Sequence, residues 1–161
     1  MPRTDNEVRV TLSVLDRLID YEPEMTREAP ASRTRSLLQL KQSLRRDLEQ
    51  LLNTRQVEEL PPDLKELNRS VAAYGLPDYS SANVKSPSDQ NRMRRALESM
   101  IKIFEPRLQD VSVTLEPVRD TERALHFRID AQLIVDPAPE PVTFDTVLQL
   151  ANGEFKVQGD I

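Results

Sequence analysis

The apolar pattern of this chain changes period at Phe104-Glu105-Pro106-Arg107-Leu108, and that change restricts the fold more than any other feature. Upstream, Met93, Ala96, Leu97, Met100, Ile101 and Phe104 recur at threes and fours, on one face of a helix. Downstream, Val111, Val113 and Leu115 alternate with Ser112, Thr114 and Glu116, the period of a strand wet on one side. Pro106 disfavours helical geometry at Glu105, so a helix end is predicted there. In an extended segment residues i and i+2 point to the same side. Glu105 and Arg107 are therefore predicted to face one environment with opposite charges.

The alternation continues to the end of the chain. Leu125, Phe127, Ile129, Ala131, Leu133 and Val135 alternate with polar residues, Val142, Phe144, Leu148 and Leu150 make a third run, and Phe155 and Val157 a fourth. Asn152-Gly153 between the last two reads as a two-residue hairpin. Asp136-Pro137-Ala138-Pro139-Glu140-Pro141 is a proline-stiffened connection. Before the junction, Ser32 or Thr34 can cap a helix running to about Asn53, with Leu37, Leu40 or Leu44, Leu48, Leu51 and Leu52 on its apolar side. Leu64, Leu67, Val71 and Tyr74 predict a shorter helix stopped by Gly75 and Pro77. Ser86 as N-cap, Pro87 as first helical residue and Asp89 as third predict the start of the helix that ends at the junction. Helices followed by strands of this kind predict an α+β fold. In it, N-terminal helices pack on one face of a C-terminal antiparallel β-sheet, a meander.

The first thirty residues read differently. Val8, Leu12, Leu15 and Ile19 fall at helical spacing, while Val8, Val10, Leu12 and Val14 also alternate, so the start of this segment fits helix and strand alike. Asp20 to Pro30 is acidic, carries Pro23 and Pro30, and reads as a linker. Residues 1–30 are thus predicted to be an N-terminal docking segment with an acidic linker, and residues 31–161 a single domain. The Leu-rich piece either docks on a partner, through Leu12, Leu15 and Leu18, or caps its own core.

Composition narrows the chemistry. With 27 acidic against 22 basic residues the net charge is −5, which argues against a general nucleic-acid binder. There is no Cys, hence no disulfide, thiolate nucleophile or Cys-ligated zinc, and a reduced cytoplasmic setting fits. No apolar run reaches the roughly 20 residues that cross a bilayer, and Met1-Pro2-Arg3-Thr4-Asp5 lacks the apolar stretch expected of a signal peptide. Three Gly leave no glycine-rich phosphate loop. His126, the one histidine, falls on the polar track of a strand and reads as a solvent-facing residue. Glu105 near Asp110 suggests an acid and nucleophile pair, but a neighbouring Arg107 would lower the Glu105 pKa and spoil it as a general acid. Arg33, Arg35, Lys41, Arg45 and Arg46 form a basic cluster that reads first as a solvated helix face. No cofactor and no metal are expected.

Four blocks in order resemble a known family. They are Ser13-Val14-Leu15-Asp16-Arg17-Leu18, then Leu44-Arg45-Arg46-Asp47-Leu48-Glu49-Gln50-Leu51-Leu52-Asn53-Thr54-Arg55, then Ser70-Val71-Ala72-Ala73-Tyr74-Gly75-Leu76-Pro77-Asp78, and finally Glu105-Pro106-Arg107. The chain resembles the TssE-type baseplate wedge subunits of type VI secretion systems and, more broadly, the baseplate wedge family of contractile phage tails, which carries a lysozyme-like label. Tyr21, within the acidic stretch, and Ala72-Ala73 depart from the family pattern.

The resemblance implies a non-enzymatic assembly factor, cytoplasmic and placed at the membrane-docked baseplate. Its implied partners are other wedge subunits of TssF, TssG and TssK type, sheath subunits of TssB and TssC type, and the spike, with neither nucleic acid nor membrane insertion. It also implies that Glu105, Pro106 and Arg107 form a structural or interaction motif, and that a sheet edge pairs with sheath strands to initiate sheath polymerisation. The family label suggests a peptidoglycan-cleaving hydrolase as the alternative. A third possibility is an adaptor that binds nucleic acid through its arginine-rich helices.

Overall fold

The computed structural model describes residues 13–19, 24, 33–56, 60–61, 63–79, 83, 86–116 and 124–159. Its elements run α1 (Val14–Leu18), α2 (Arg33–Asn53), α3 (Pro87–Phe104), β1 (Leu108–Leu115), β2 (Ala124–Leu133), β3 (Glu140–Gln149) and β4 (Glu154–Gly159), with two 3₁₀ turns, Leu67–Arg69 and Val71–Ala73, between α2 and α3. The strands form one antiparallel meander in the order β1-β2-β3-β4. The two long helices lie on one of its faces, α3 against β1 and α2 against β4. This is the α+β arrangement that the change of period predicts.

Each long helix follows from its apolar stripe. Leu40, Leu44, Leu48, Leu51 and Leu52 of α2 are buried, as are Met93, Leu97 and Ile101 of α3. They meet the inward residues of the sheet, among them Phe127, Ile129, Leu133, Phe144, Phe155 and Val157. The start of α3 is as the sequence predicts: the Ser86 hydroxyl accepts from the Asp89 amide and Pro87 opens the first turn.

Apart from the helix–sheet junction itself, the structure departs from the sequence reading in three places. The segment from Leu64 to Tyr74 is not one helix. The Ser70 hydroxyl donates to the Leu67 carbonyl and accepts from the Ala72 amide, closing one 3₁₀ turn and capping the next around an extended Ser70. Val71 consequently points to solvent rather than to the core. Gly75 does take a positive φ, +105°, but its smallness answers a contact: a Cβ there would lie 2.5 Å from the Thr54 carbonyl oxygen.

The second departure is the hairpin between β3 and β4. Gln149 pairs with Glu154, so the turn has four residues, closed by the Gly153 amide on the Gln149 carbonyl at 2.8 Å. Gly153 alone takes a positive φ there, whereas a two-residue type I′ turn needs two such residues. Asn152 instead uses its side chain, accepting from the Glu154 amide and donating to the Glu154 carboxylate. The third departure is a bulge between Gln109 and Ser112, where Asp110 sits at φ +53°. It lets Leu108 and Val111, three residues apart, both face the core.

Pro141 lies inside β3 without breaking the sheet. Among the described residues β4 pairs with β3 only from Phe144 onward, so none of them flanks the strand on that side at Pro141.

Candidate functional site

The junction that divides helix from sheet holds a cluster of charged and polar side chains from α1, α2 and the turn after α3. Glu105 ends α3, its amide still bonded to the Ile101 carbonyl, and the Leu108 amide returns to the Glu105 carbonyl at 3.1 Å. Residues 105–108 are therefore a tight turn with Pro106 at its second position, where a fixed φ suits it, and not the extended segment that the i, i+2 argument assumes. The turn, rather than a shared strand face, brings Arg107 back over Glu105. Arg107 grips both carboxylate oxygens of Glu105, Nε and Nη2 each at 2.6 Å. The Glu105 residue is only 5% exposed. A bidentate fork is the geometry in which a buried carboxylate is best satisfied.

Arg107 reaches further, to α2. Nη2 donates to Asp47 at 2.7 Å and Nη1 to the Ser43 hydroxyl at 3.2 Å. Ser43 and Asp47 are one helical turn apart and so share a face. From the same face Arg46 contacts Asp47 at 3.1 Å and crosses to Asp16 of α1 at 2.9 Å. Asp16 also accepts from the Ser43 hydroxyl at 2.6 Å and from Ser13, the N-cap of α1. The bonds close a ring: Asp16, Arg46, Asp47, Arg107, Ser43 and back to Asp16. One hydroxyl, Ser43, joins two arms of it by donating to Asp16 and accepting from Arg107.

The electrostatics follow from these contacts. The bond to Glu105 pushes the Arg107 pKa above its ordinary value despite the opposing effect of burial, and Asp47 adds to the rise. Burial would raise the Asp16 carboxyl, but the hydroxyls of Ser13 and Ser43 and the Arg46 guanidinium outweigh it and hold the group below the usual carboxylate range. Tyr74 packs edge-on against Phe104, centroids 5.3 Å apart. Burial, with the charges of Asp47 and Glu105, pushes its phenol upward.

The ring turns α1 inside out relative to an ordinary surface helix. Ser13 and Asp16 face the protein while Val14, Leu15 and Leu18 are 71%, 57% and 76% exposed. Leu12, the third docking residue expected from sequence, lies outside the described residues, as does the acidic linker apart from Glu24. Sequence reasoning passed over Asp16, Ser43 and Asp47. Ser43 left a legible mark, a polar residue inside the apolar stripe between Leu40 and Leu44. Asp16 left only the local sign of a helix start with Ser13, three residues before it, since its other partners are 27 and 30 positions away.

The other candidates scatter. His126 is on the outer side of the sheet, and the inward residues of β2 are Leu125, Phe127 and Ile129. Of the basic cluster, Arg46 joins the ring, whereas Lys41 and Arg45 border a shallow depression with Val142, Thr143, Phe144 and Gly159. Among the described residues no group of three or more His, Asp or Glu could hold a metal ion. No helix among them is long and apolar enough to cross a membrane.

Two helices thus lie on one face of a four-stranded meander, tied at the helix–sheet junction by a ring of charges, with α1 turning Val14, Leu15 and Leu18 outward. The model of one family, described as baseplate wedge protein gp25, matches residues 38–138, and the chain belongs to that family. The match takes in α2 from residue 38 onward, α3, the Glu105–Arg107 turn, β1 and β2, and leaves α1 outside it. No curated protein matches the chain. The family is one of structural components of phage-tail-like baseplates, which interact with other baseplate components.

Proposed function

We propose that this chain is a TssE-type subunit of a type VI secretion baseplate. In this reading it docks on TssF-, TssG- and TssK-type wedge subunits and initiates polymerisation of TssB/TssC-type sheath, in the bacterial cytoplasm at a membrane-docked baseplate around the spike. The observation that carries the reading, beside family membership, is the orientation of α1. A helix that spends its polar side on Ser43 and Arg46 and leaves Val14, Leu15 and Leu18 outward needs another surface to bury them. Leu12, Leu15 and Leu18 then form the docking segment, residues 1–30 a tethered arm, and residues 31–161 the wedge domain. Glu105, Pro106 and Arg107 hold that arm's seat in place through Ser43 and Asp47.

Sheath initiation in this reading uses a sheet edge, since among the described residues β1 and β4 each have one side without a neighbouring strand. The role is not enzymatic. A peptidoglycan hydrolase needs a carboxyl free to protonate a leaving group, and both Glu105 oxygens are held by Arg107. The test is sheath assembly in cells carrying Arg107→Ala, with folded content checked by circular dichroism. Loss of sheaths from a folded variant is expected, and normal sheath dynamics would contradict the reading. Cleavage of purified cell wall that disappears with Glu105→Gln would replace it by the hydrolase.

A further inference from the structure

The two outer margins of the sheet are not bare, and the manner in which they are covered is specific. Asn53, the last residue of α2, donates from Nδ2 to the Phe155 carbonyl at 2.9 Å and accepts the Phe155 amide on Oδ1 at 2.8 Å. Phe155 therefore turns both backbone groups away from β3. Two residues on, the Val157 amide donates to the Glu49 carboxylate at 3.3 Å. A residue of a neighbouring antiparallel strand makes the same pair of bonds that the Asn53 carboxamide makes with Phe155.

The opposite margin is treated alike. In the β1–β2 ladder the Glu116 amide bonds the His126 carbonyl, so by alternation Val113 turns its groups outward. Arg94 of α3 reaches the Val113 carbonyl at 3.5 Å and is itself held by Glu98, one helical turn further on, at 3.0 Å.

We propose that Asn53 and Glu49 stand in for a missing fifth strand, and that by doing so they keep β4 of one subunit from pairing with β4 of a second copy. The second copy is the occupant that the strand itself favours. With Phe155 opposite Phe155 of the copy, the outward groups of both strands meet, and Glu154 of each strand falls opposite Lys156 of the other, twice by symmetry. Both of these charged residues are exposed on the outer side of the sheet, with one Glu154 oxygen accepting from Asn152 at 2.7 Å. Such an edge, uncovered, is a template for association. The inference concerns the free subunit and does not depend on the assembly role proposed above.

The experiment compares the full chain with Asn53→Ala, Asn53→Asp and Glu49→Ala/Asn53→Ala. Amide exchange at Phe155 and Val157 reports whether the edge is uncovered, and sedimentation velocity across a wide concentration range reports association. Loss of the cap is expected to speed exchange at Phe155 by about tenfold or more. The double variant is expected to sediment faster with concentration than the parent does. Asn53→Asp keeps the acceptor for the Phe155 amide, so it is expected to fall between parent and Asn53→Ala. That comparison still decides the matter if the alanine variants lose helix content. A folded double variant with a fast-exchanging Phe155 that sediments like the parent at every concentration would overturn the proposal. So would Phe155 exchange that stays slow in every variant, because the body of α2 and not the two side chains would then cover the edge.

Discussion

Arg107→Ala is the perturbation on which the ring of charges can be weighed. It removes four side-chain hydrogen bonds, two to Glu105 and one each to Asp47 and Ser43. The losses are unequal. Asp47 keeps Arg46 and Ser43 keeps Asp16, so neither is stranded. Glu105 is different: its side chain is 7% exposed, and the variant leaves it only the Arg107 amide at a long 3.4 Å. Breaking a buried pair by deleting one partner costs about 3–5 kcal/mol. The Arg107 side chain is itself 24% exposed, which admits some water and places the expected loss near the lower end, about 3 kcal/mol. For a domain of this length that is a fall in Tm of about 6–12 °C. Urea unfolding followed by circular dichroism measures it. Arg107→Lys keeps the charge but not the fork and should lose about 1–2 kcal/mol. Glu105→Gln with Arg107→Met removes both charges and should recover most of the loss, because a neutral pair carries no stranded ion. A loss below about 0.5 kcal/mol for Arg107→Ala would refute the reasoning and reduce the ring to a surface feature.

Other perturbations separate the remaining parts of the account. Asp16→Asn should release α1. Because the folded Asp16 carboxyl is held below its ordinary value, its contribution is present above that value and lost as pH falls through the folded one. The difference in Tm between parent and variant should therefore shrink on acidification from neutral pH, as a melting series would read. Gly75→Ala forces a Cβ against the Thr54 carbonyl at positive φ and should cost at least about 2 kcal/mol in urea unfolding. Thr146, 1% exposed on the core side of β3, has a hydroxyl with no partner among the described residues. Thr146→Val should therefore be neutral or stabilising by up to about 1 kcal/mol, seen as an unchanged or raised urea midpoint.

The parts of the molecule legible in sequence are those set by periodicity and local capping. α3 is written twice over, in the Ser86-Pro87-Asp89 start and in the stripe from Met93 to Phe104, and β2 alternates without interruption from Leu125 to Leu133. What was hidden depends on partners distant in the chain or on single side chains that redirect the backbone. Ser70 splits what spacing alone makes a helix, and Asp110 absorbs the residue that shifts the phase of β1. The candidate site was half visible. Two residues apart, Glu105 and Arg107 announce a pair, whereas Ser43 shows only as a polar break in an apolar stripe, with nothing in the sequence to point it at Asp16. The edge caps are less legible still, because Asn53 reaches a strand 102 positions later and reads locally as a helix end.

The claim at the centre of this account is that α1 presents an apolar surface to other baseplate components. Co-purification from cells carrying the full contractile-tail operon tests it most directly, with the chain tagged at its C-terminus and compared with Leu15→Ala/Leu18→Ala. Both residues are largely exposed, so the substitutions should leave the fold intact. The expected result is recovery of wedge and sheath-type subunits with the parent chain and their loss with the folded double variant. Recovery of the same partners by both, or of the parent chain alone, would contradict it.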